Sequence, residues 1–124
     1  EQILTKSKPF KTVVLTKTAS TTNADNPNLS TSFSNADILI STPLRLVHAV
    51  QQQGLKLDKV RHLVLDEADK LLELGFLEQV DDVLAIVGGD QVRKSLFSAT
   101  IPSGVEELAR TFMKDPIRIV IGQK

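Results

Sequence analysis

The sequence predicts an α/β domain on a mostly parallel sheet, and three observations carry that prediction. Short apolar runs alternate with helical patterns, the arrangement of strands joined by crossover helices. The run His62-Leu63-Val64-Leu65 lacks polar alternation, as expected of a strand buried on both faces. The 124 residues, 41% hydrophobic and 24% charged, suit one ordinary globular domain and not two.

The elements follow in order. Glu1-Gln2-Ile3-Leu4 opens the chain like the middle of a helix, and Val13–Leu15 is the first candidate strand. From Thr16 to Ala36, thirteen of 21 residues are Ser, Thr or Asn, so a solvated loop is expected over 16–36. Its Asn28-Leu29-Ser30 is formally a glycosylation triplet; without a secretion signal it reads as a chance match. Ile38–Ile40 is the second strand. Thr42-Pro43 then supplies an N-cap and a proline at the first helical position, where the missing N–H costs nothing. That helix runs through Leu44, Leu46, Val47 and Val50 to Gly54. After the strand Leu63–Leu65, helical spacing resumes near Phe76 with Val80, Val83, Leu84 and Val87, and Gly88-Gly89 ends it. Leu96–Phe97 with its flanks is the fourth strand. Ser103 with Glu106 three residues on reads as a capping box. It opens a helix whose apolar face is Val105, Leu108, Ala109 and Phe112, and Ile117–Ile121 is the last strand.

Composition excludes several function classes. No apolar run approaches the roughly 20 residues of a membrane-spanning helix. No basic-then-apolar leader opens the chain, so an intracellular protein with no membrane partner is expected. Cysteine is absent, which removes disulfides and Cys-based zinc sites. The only histidines, His48 and His62, read as structural. Basic and acidic side chains number 15 each, but residues 1–60 hold seven basic and four acidic, and 61–124 hold eight and eleven. Neither half is a basic arm for nucleic acid.

The chemistry concentrates at strand ends. In Leu63-Val64-Leu65-Asp66-Glu67-Ala68-Asp69 a buried strand runs into carboxylates, and ligands of open α/β sheets sit at the carboxyl ends of strands. An Asp there suits Mg²⁺, which takes hard oxygen ligands and keeps several waters. A neighbouring Glu is placed to orient or deprotonate a water attacking a γ-phosphate. Acids also favour the first turn of a helix, which explains Glu73, Glu78, Asp81 and Asp82 better than Asp66. Ser98-Ala99-Thr100 follows the next strand, 32 residues after Asp66, with hydroxyls suited to bonding a carboxylate such as Asp69. Ser41-Thr42-Pro43-Leu44-Arg45 ends another strand and opens a helix, a setting that suits a phosphate. The three together are far more specific than any one.

Together these segments resemble the DEAD-box RNA helicases. Asp66-Glu67-Ala68-Asp69 resembles the family's motif II, Ser98-Ala99-Thr100 its motif III, and Thr42-Pro43-Leu44-Arg45 its motif Ib, where Leu44 replaces the usual glycine. Leu74-Gly75-Phe76 and Asp115-Pro116-Ile117 fit the same pattern. The resemblance implies a three-layer RecA-like P-loop NTPase core and an enzyme that uses ATP and Mg²⁺ to unwind RNA or remodel ribonucleoprotein. It implies that Asp66 holds the ATP-bound Mg²⁺ through water and that Glu67 positions the attacking water. Asp69, Ser98 and Thr100 then couple hydrolysis to strand separation, and Thr42, Pro43 and Arg45 contact RNA. The family reads the RNA backbone without base identity. The absence of Trp and Tyr agrees, since stacking platforms need aromatics.

Ser98-Ala99-Thr100-Ile101-Pro102-Ser103 and Arg118-Ile119-Val120-Ile121-Gly122 are most similar to the branch acting in small-subunit ribosome biogenesis. That implies ribosomal RNA processing, pre-ribosomal protein partners and a nuclear or nucleolar location. No glycine in the chain is followed by lysine, so it has no Gly-Lys-Ser/Thr phosphate loop. The expectation is an incomplete domain lacking the P-loop strand: residues 1–124 as the C-terminal part of the first RecA-like domain, beginning just past motif Ia. The isolated chain is expected to be inactive, and stable only with the missing segment or by pairing sheet edges. Two alternatives differ in class. A receiver-type phosphoacceptor domain needs acids after its first strand, where Thr16-Lys17-Thr18 stands. A non-catalytic module that kept the helicase surface would lack the phosphate loop upstream.

Overall fold

The structure is a computed structural model and describes residues 10–15 and 35–122. The opening helical segment, most of the 16–36 loop and the glycosylation triplet lie outside the described residues. The chain divides into two compact units, Glu1–Lys59 and Val60–Lys124.

In the first unit, β1 (Thr12–Val14) pairs in parallel with β2 (Ile38–Ile40), in the register Thr12↔Ile38 to Val14↔Ile40. The pairing extends one step at each end. Leu15 N–H donates to Ile40 O at 2.9 Å, and Asp37 N–H donates to Lys11 O at 2.9 Å. Helix α1 (Pro43–Gln53) follows with the expected signals: Thr42 Oγ1 accepts the Arg45 N–H at 3.4 Å, and Gly54 ends it at φ 69°. That left-handed cap favours glycine. Ala49 and Leu55 bury against Leu15, with Leu39, Leu46, Val50 and Leu57 around them.

In the second unit β3 (His62–Leu65) pairs in parallel with β4 (Arg93–Leu96), from His62↔Arg93 to Leu65↔Leu96. Between them run α2 (Ala68–Glu73) and α3 (Leu77–Val87), and α4 (Ser103–Phe112) follows β4. Ala68, Val80, Val105, Leu108 and Phe112 form the buried core, with Leu63, Leu65, Leu71, Leu72, Leu84, Leu96 and Met113 packed against it. The α/β class and the parallel pairing agree with the sequence. The described strands pair as two two-stranded ladders, one in each unit. Among the described residues, no helix is long and apolar enough to cross a membrane.

Four expectations change. β3 is not buried on both faces: Leu63 and Leu65 pack inward, but Val64 is 57% exposed, because the described helices cover one side only. Ile117–Ile121 forms no strand; Ile121 is 93% exposed, and these residues find no ladder partner among the described ones. Apolar β-formers make a strand only where a neighbour completes the hydrogen bonds. The capping box at Ser103 does not form either. Pro102 is the N-cap, and its carbonyl accepts the Val105 N–H at 3.0 Å. Proline has no N–H for Glu106 to reach back to, so Glu106 pairs with Arg118 at 2.9 Å instead. Finally, α2 is a helix the periodicity did not indicate.

The end of α3 depends on a close approach. A Cβ built on Gly88 would overlap the Leu84 carbonyl oxygen, whereas one on Gly89 would meet nothing within 4 Å.

Candidate active site at the ends of β3 and β4

Parallel strands bring their carboxyl ends to one side, so the residues after Leu65 and after Leu96 are neighbours. Two backbone bonds extend the ladder there: Phe97 N–H donates to Leu65 O at 2.8 Å, and Ala68 N–H donates to Phe97 O at 3.0 Å. Around them Asp66, Glu67, Asp69, Lys70, Phe97, Ser98 and Ala99 line a depression of about 300 Å³.

Asp69 is buried, 8% exposed, and both its carboxylate oxygens accept hydrogen bonds. Oδ2 accepts from Thr100 Oγ1 at 2.9 Å and from the Thr100 N–H at 3.3 Å; Oδ1 accepts the Lys70 N–H at 3.0 Å. Ser98 meets the backbone of Asp69, not its carboxylate: Ser98 Oγ accepts the Asp69 N–H at 3.2 Å and donates to Thr100 O at 2.6 Å. Asp69, Ser98 and Thr100 thus close a ring between the start of α2 and the residues after β4.

The Thr100 hydroxyl is the largest influence holding the Asp69 carboxyl below its ordinary range. Burial works in the opposite direction, and the Lys70 and Thr100 amides add to the lowering. A carboxyl with a lowered folded pKa stabilises the fold above its unfolded pKa, about 3.9. That contribution is lost as pH falls through the folded pKa. The stability difference between wild type and Thr100→Val is therefore expected to be full near neutral pH and to shrink below pH about 4. Urea unfolding across that range checks it; a difference independent of pH would refute the role given to Thr100.

Asp66 and Glu67 are both exposed. Asp66 Oδ1 accepts the Glu67 N–H at 2.9 Å, and Oδ2 makes no hydrogen bond among the described residues. Among those residues no group of three His, Cys, Asp or Glu could hold a metal by itself. One free carboxylate oxygen is nevertheless the donor set that suits Mg²⁺, which keeps waters and takes substrate phosphate oxygens.

The other candidate residues lie in the first unit. Thr42, Pro43 and Arg45 sit at the β2–α1 junction, where Thr42 caps the helix and Ser41 Oγ donates to Thr42 O at 2.8 Å. Lys70, Phe97 and Ala99 line the depression but were not singled out by sequence. Lys70 carries no sequence signal beyond adjacency. Phe97 could have been found, because it stands two residues beyond Ser95 on the exposed side of β4, and it is 57% exposed.

Comparison with known proteins agrees with this geometry. The chain matches the DEAD/DEAH box helicase family over residues 1–108, which displaces the receiver-type alternative. It is 49% identical over 123 residues to the ATP-dependent RNA helicase ROK1 of Scheffersomyces stipitis, covering 99% of this chain and 22% of that protein. It is 54% identical over 90 residues to the DEAD-box ATP-dependent RNA helicase 57 of Oryza sativa subsp. japonica, covering 73% of this chain and 17% of that protein. The crystal structure of a DEAD box protein from Methanococcus jannaschii superposes with a TM-score of 0.73 at 31% identity, covering 88% of this chain and 28% of that one. The chain spans about a fifth of the length of the curated relatives it matches.

Proposed function

Because the chain belongs to the DEAD/DEAH box helicase family, we propose that it is the later part of the first RecA-like domain of an ATP-dependent RNA helicase. The intact protein couples ATP hydrolysis to RNA duplex unwinding or ribonucleoprotein remodelling. What carries this reading is the closed Asp69–Ser98–Thr100 ring beside two outward-facing carboxylates. A buried ring that engages both carboxylate oxygens of Asp69 is a poor ligand site and a good mechanical tie.

Roles divide accordingly. Asp66, through its unbonded Oδ2, would hold Mg²⁺ by way of water; the ion when bound neutralises charge on the phosphates. Glu67 orients the attacking water and receives its proton on the carboxylate. The ring carries the change at the phosphate end into the residues after β4. At the β2–α1 junction, Thr42 Oγ1 already accepts the Arg45 N–H, which leaves its own hydroxyl proton for an RNA phosphate. Arg45 adds the charge, and Pro43 leaves the helix start without a competing N–H. Such contacts read the RNA backbone and not its bases.

The reading extends to ribosomal RNA processing in the nucleus or nucleolus, with pre-ribosomal proteins and the second RecA-like domain as partners. Its support is the pair of phrases at Ser98–Ser103 and Arg118–Gly122. The phosphate loop and adenine contacts belong to the rest of the protein on this reading, so residues 1–124 alone hydrolyse ATP no faster than buffer.

RNA-stimulated ATP turnover by the intact protein tests the proposal. Ser98→Ala with Thr100→Val is expected to keep turnover while slowing unwinding about tenfold, the scale of a typical coupling free energy. Turnover indifferent to RNA, or unwinding unaffected by the double change, would overturn it.

A further inference from the structure

Successive strand residues point to opposite faces, so a strand end delivers every second side chain to one side. Along β3, His62 and Val64 are exposed while Leu63 and Leu65 pack inward. Continued by one turn of the pleat, that alternation sends Asp66 outward and Glu67 inward beneath the helices. Both residues instead line the same depression.

The backbone of Glu67 accounts for the break. It sits at φ 54°, ψ 49°, a left-handed conformation that a glutamate rarely adopts. Among the described residues, three other positive-φ positions carry glycine, Gly54, Gly75 and Gly122; a fourth carries Asp115, a short polar residue that tolerates the region. A bare turn after β3 would take glycine equally well. A glutamate there means that its side chain is needed where only this backbone puts it, the direction in which strain is informative.

Something must hold the strained residue. The Glu67 N–H donates to Asp66 Oδ1 at 2.9 Å, and the Glu67 carbonyl accepts the Leu71 N–H at 3.1 Å. We propose that Asp66 is a positioning residue for Glu67, one carboxylate oxygen pinning the left-handed turn that brings Glu67 to the depression Asp66 also lines. The two oxygens of Asp66 then differ in duty: Oδ1 holds the protein and Oδ2 faces the site. The inference rests on the proposed role of Glu67 in ATP hydrolysis for its purpose, though its geometry stands apart from that role.

Two comparisons in the intact protein test it without reading turnover. Glu67→Gly and Glu67→Ala remove the same carboxylate and differ only in backbone freedom. The glycine variant is expected to have a folding equilibrium constant about fivefold higher, because a left-handed L-residue is penalised. At an ordinary position alanine is favoured about threefold, and that order would overturn the strained turn. In the second comparison, hydrogen exchange of the peptide spanning residues 65–70 is followed by mass spectrometry. Asp66→Asn keeps an oxygen acceptor and is expected to preserve the protection of the Glu67 amide; Asp66→Ala is expected to speed its exchange about tenfold, the loss of one charge-assisted hydrogen bond. Equal exchange in the two variants would overturn the positioning role. Turnover retained by Glu67→Gln would instead overturn the catalytic reading on which the purpose rests.

Discussion

Glu67→Gln in the intact protein is expected to lower ATP turnover at least about a hundredfold while leaving ATP affinity within about threefold. Gln keeps the length and hydrogen-bonding reach of the side chain but cannot take up a proton. The backbone turn is untouched, since its support comes from Asp66 Oδ1 and the Leu71 amide, not from the Glu67 side chain. Asp66 likewise keeps its unbonded oxygen. The substitution therefore isolates proton acceptance and water orientation, an effect realised in the transition state and not in ground-state binding. Single-turnover hydrolysis and equilibrium binding of a fluorescent ATP analogue separate the two quantities. Turnover within a factor of about three of wild type would remove Glu67 from the role given to it.

The largest stability effect is expected at Phe112. Its ring is 3% exposed in the core of the second unit, with Val105 and Leu108 on the same face of α4. Phe112→Ala should cost about 3–5 kcal/mol, combining lost transfer free energy with the cavity left behind. A whole domain is stable by only about 5–15 kcal/mol. The control is Arg118→Ala, which breaks the exposed pair with Glu106 and should cost no more than about 1 kcal/mol. Denaturant unfolding of the two variants under one condition checks the contrast. Because α4 starts three residues after Thr100, a loosened α4 should also weaken the ring on Asp69. An Asp69–Thr100 tie surviving intact in Phe112→Ala, judged by the acid limb of stability, would show the two to be independent.

Much of this was legible in the residues, for definable reasons. Helix α1 announces both its ends, through Thr42-Pro43 and Gly54, because capping chemistry is local. Asp66 and the Ser98-Ala99-Thr100 triplet stood out because hydrogen-bonding side chains at the exits of apolar strands are hard to explain as packing. β4 was harder to read. Arg93, Lys94 and Ser95 are polar, and Lys94 is held by its ammonium, which donates to Gly89 O at 3.2 Å and Val92 O at 3.5 Å. Helix α2 was hidden because six residues show too little periodicity and its acids read as a solvated run. Ile117–Ile121 misled in the opposite sense, since side-chain preference says nothing about whether a neighbouring strand is there. The left-handed turn at Glu67 had no sequence signal at all, because glutamate rarely adopts that conformation.

Gly88 and Gly89 look interchangeable on paper, yet the close approach to Leu84 makes them unequal under mutation. At 88 every side chain begins with an atom that the last turn of α3 already occupies, so each possible missense change meets the same backbone obstacle. At 89 the same changes meet open space. A deep variant scan of this helix end would therefore show one empty column beside one filled column.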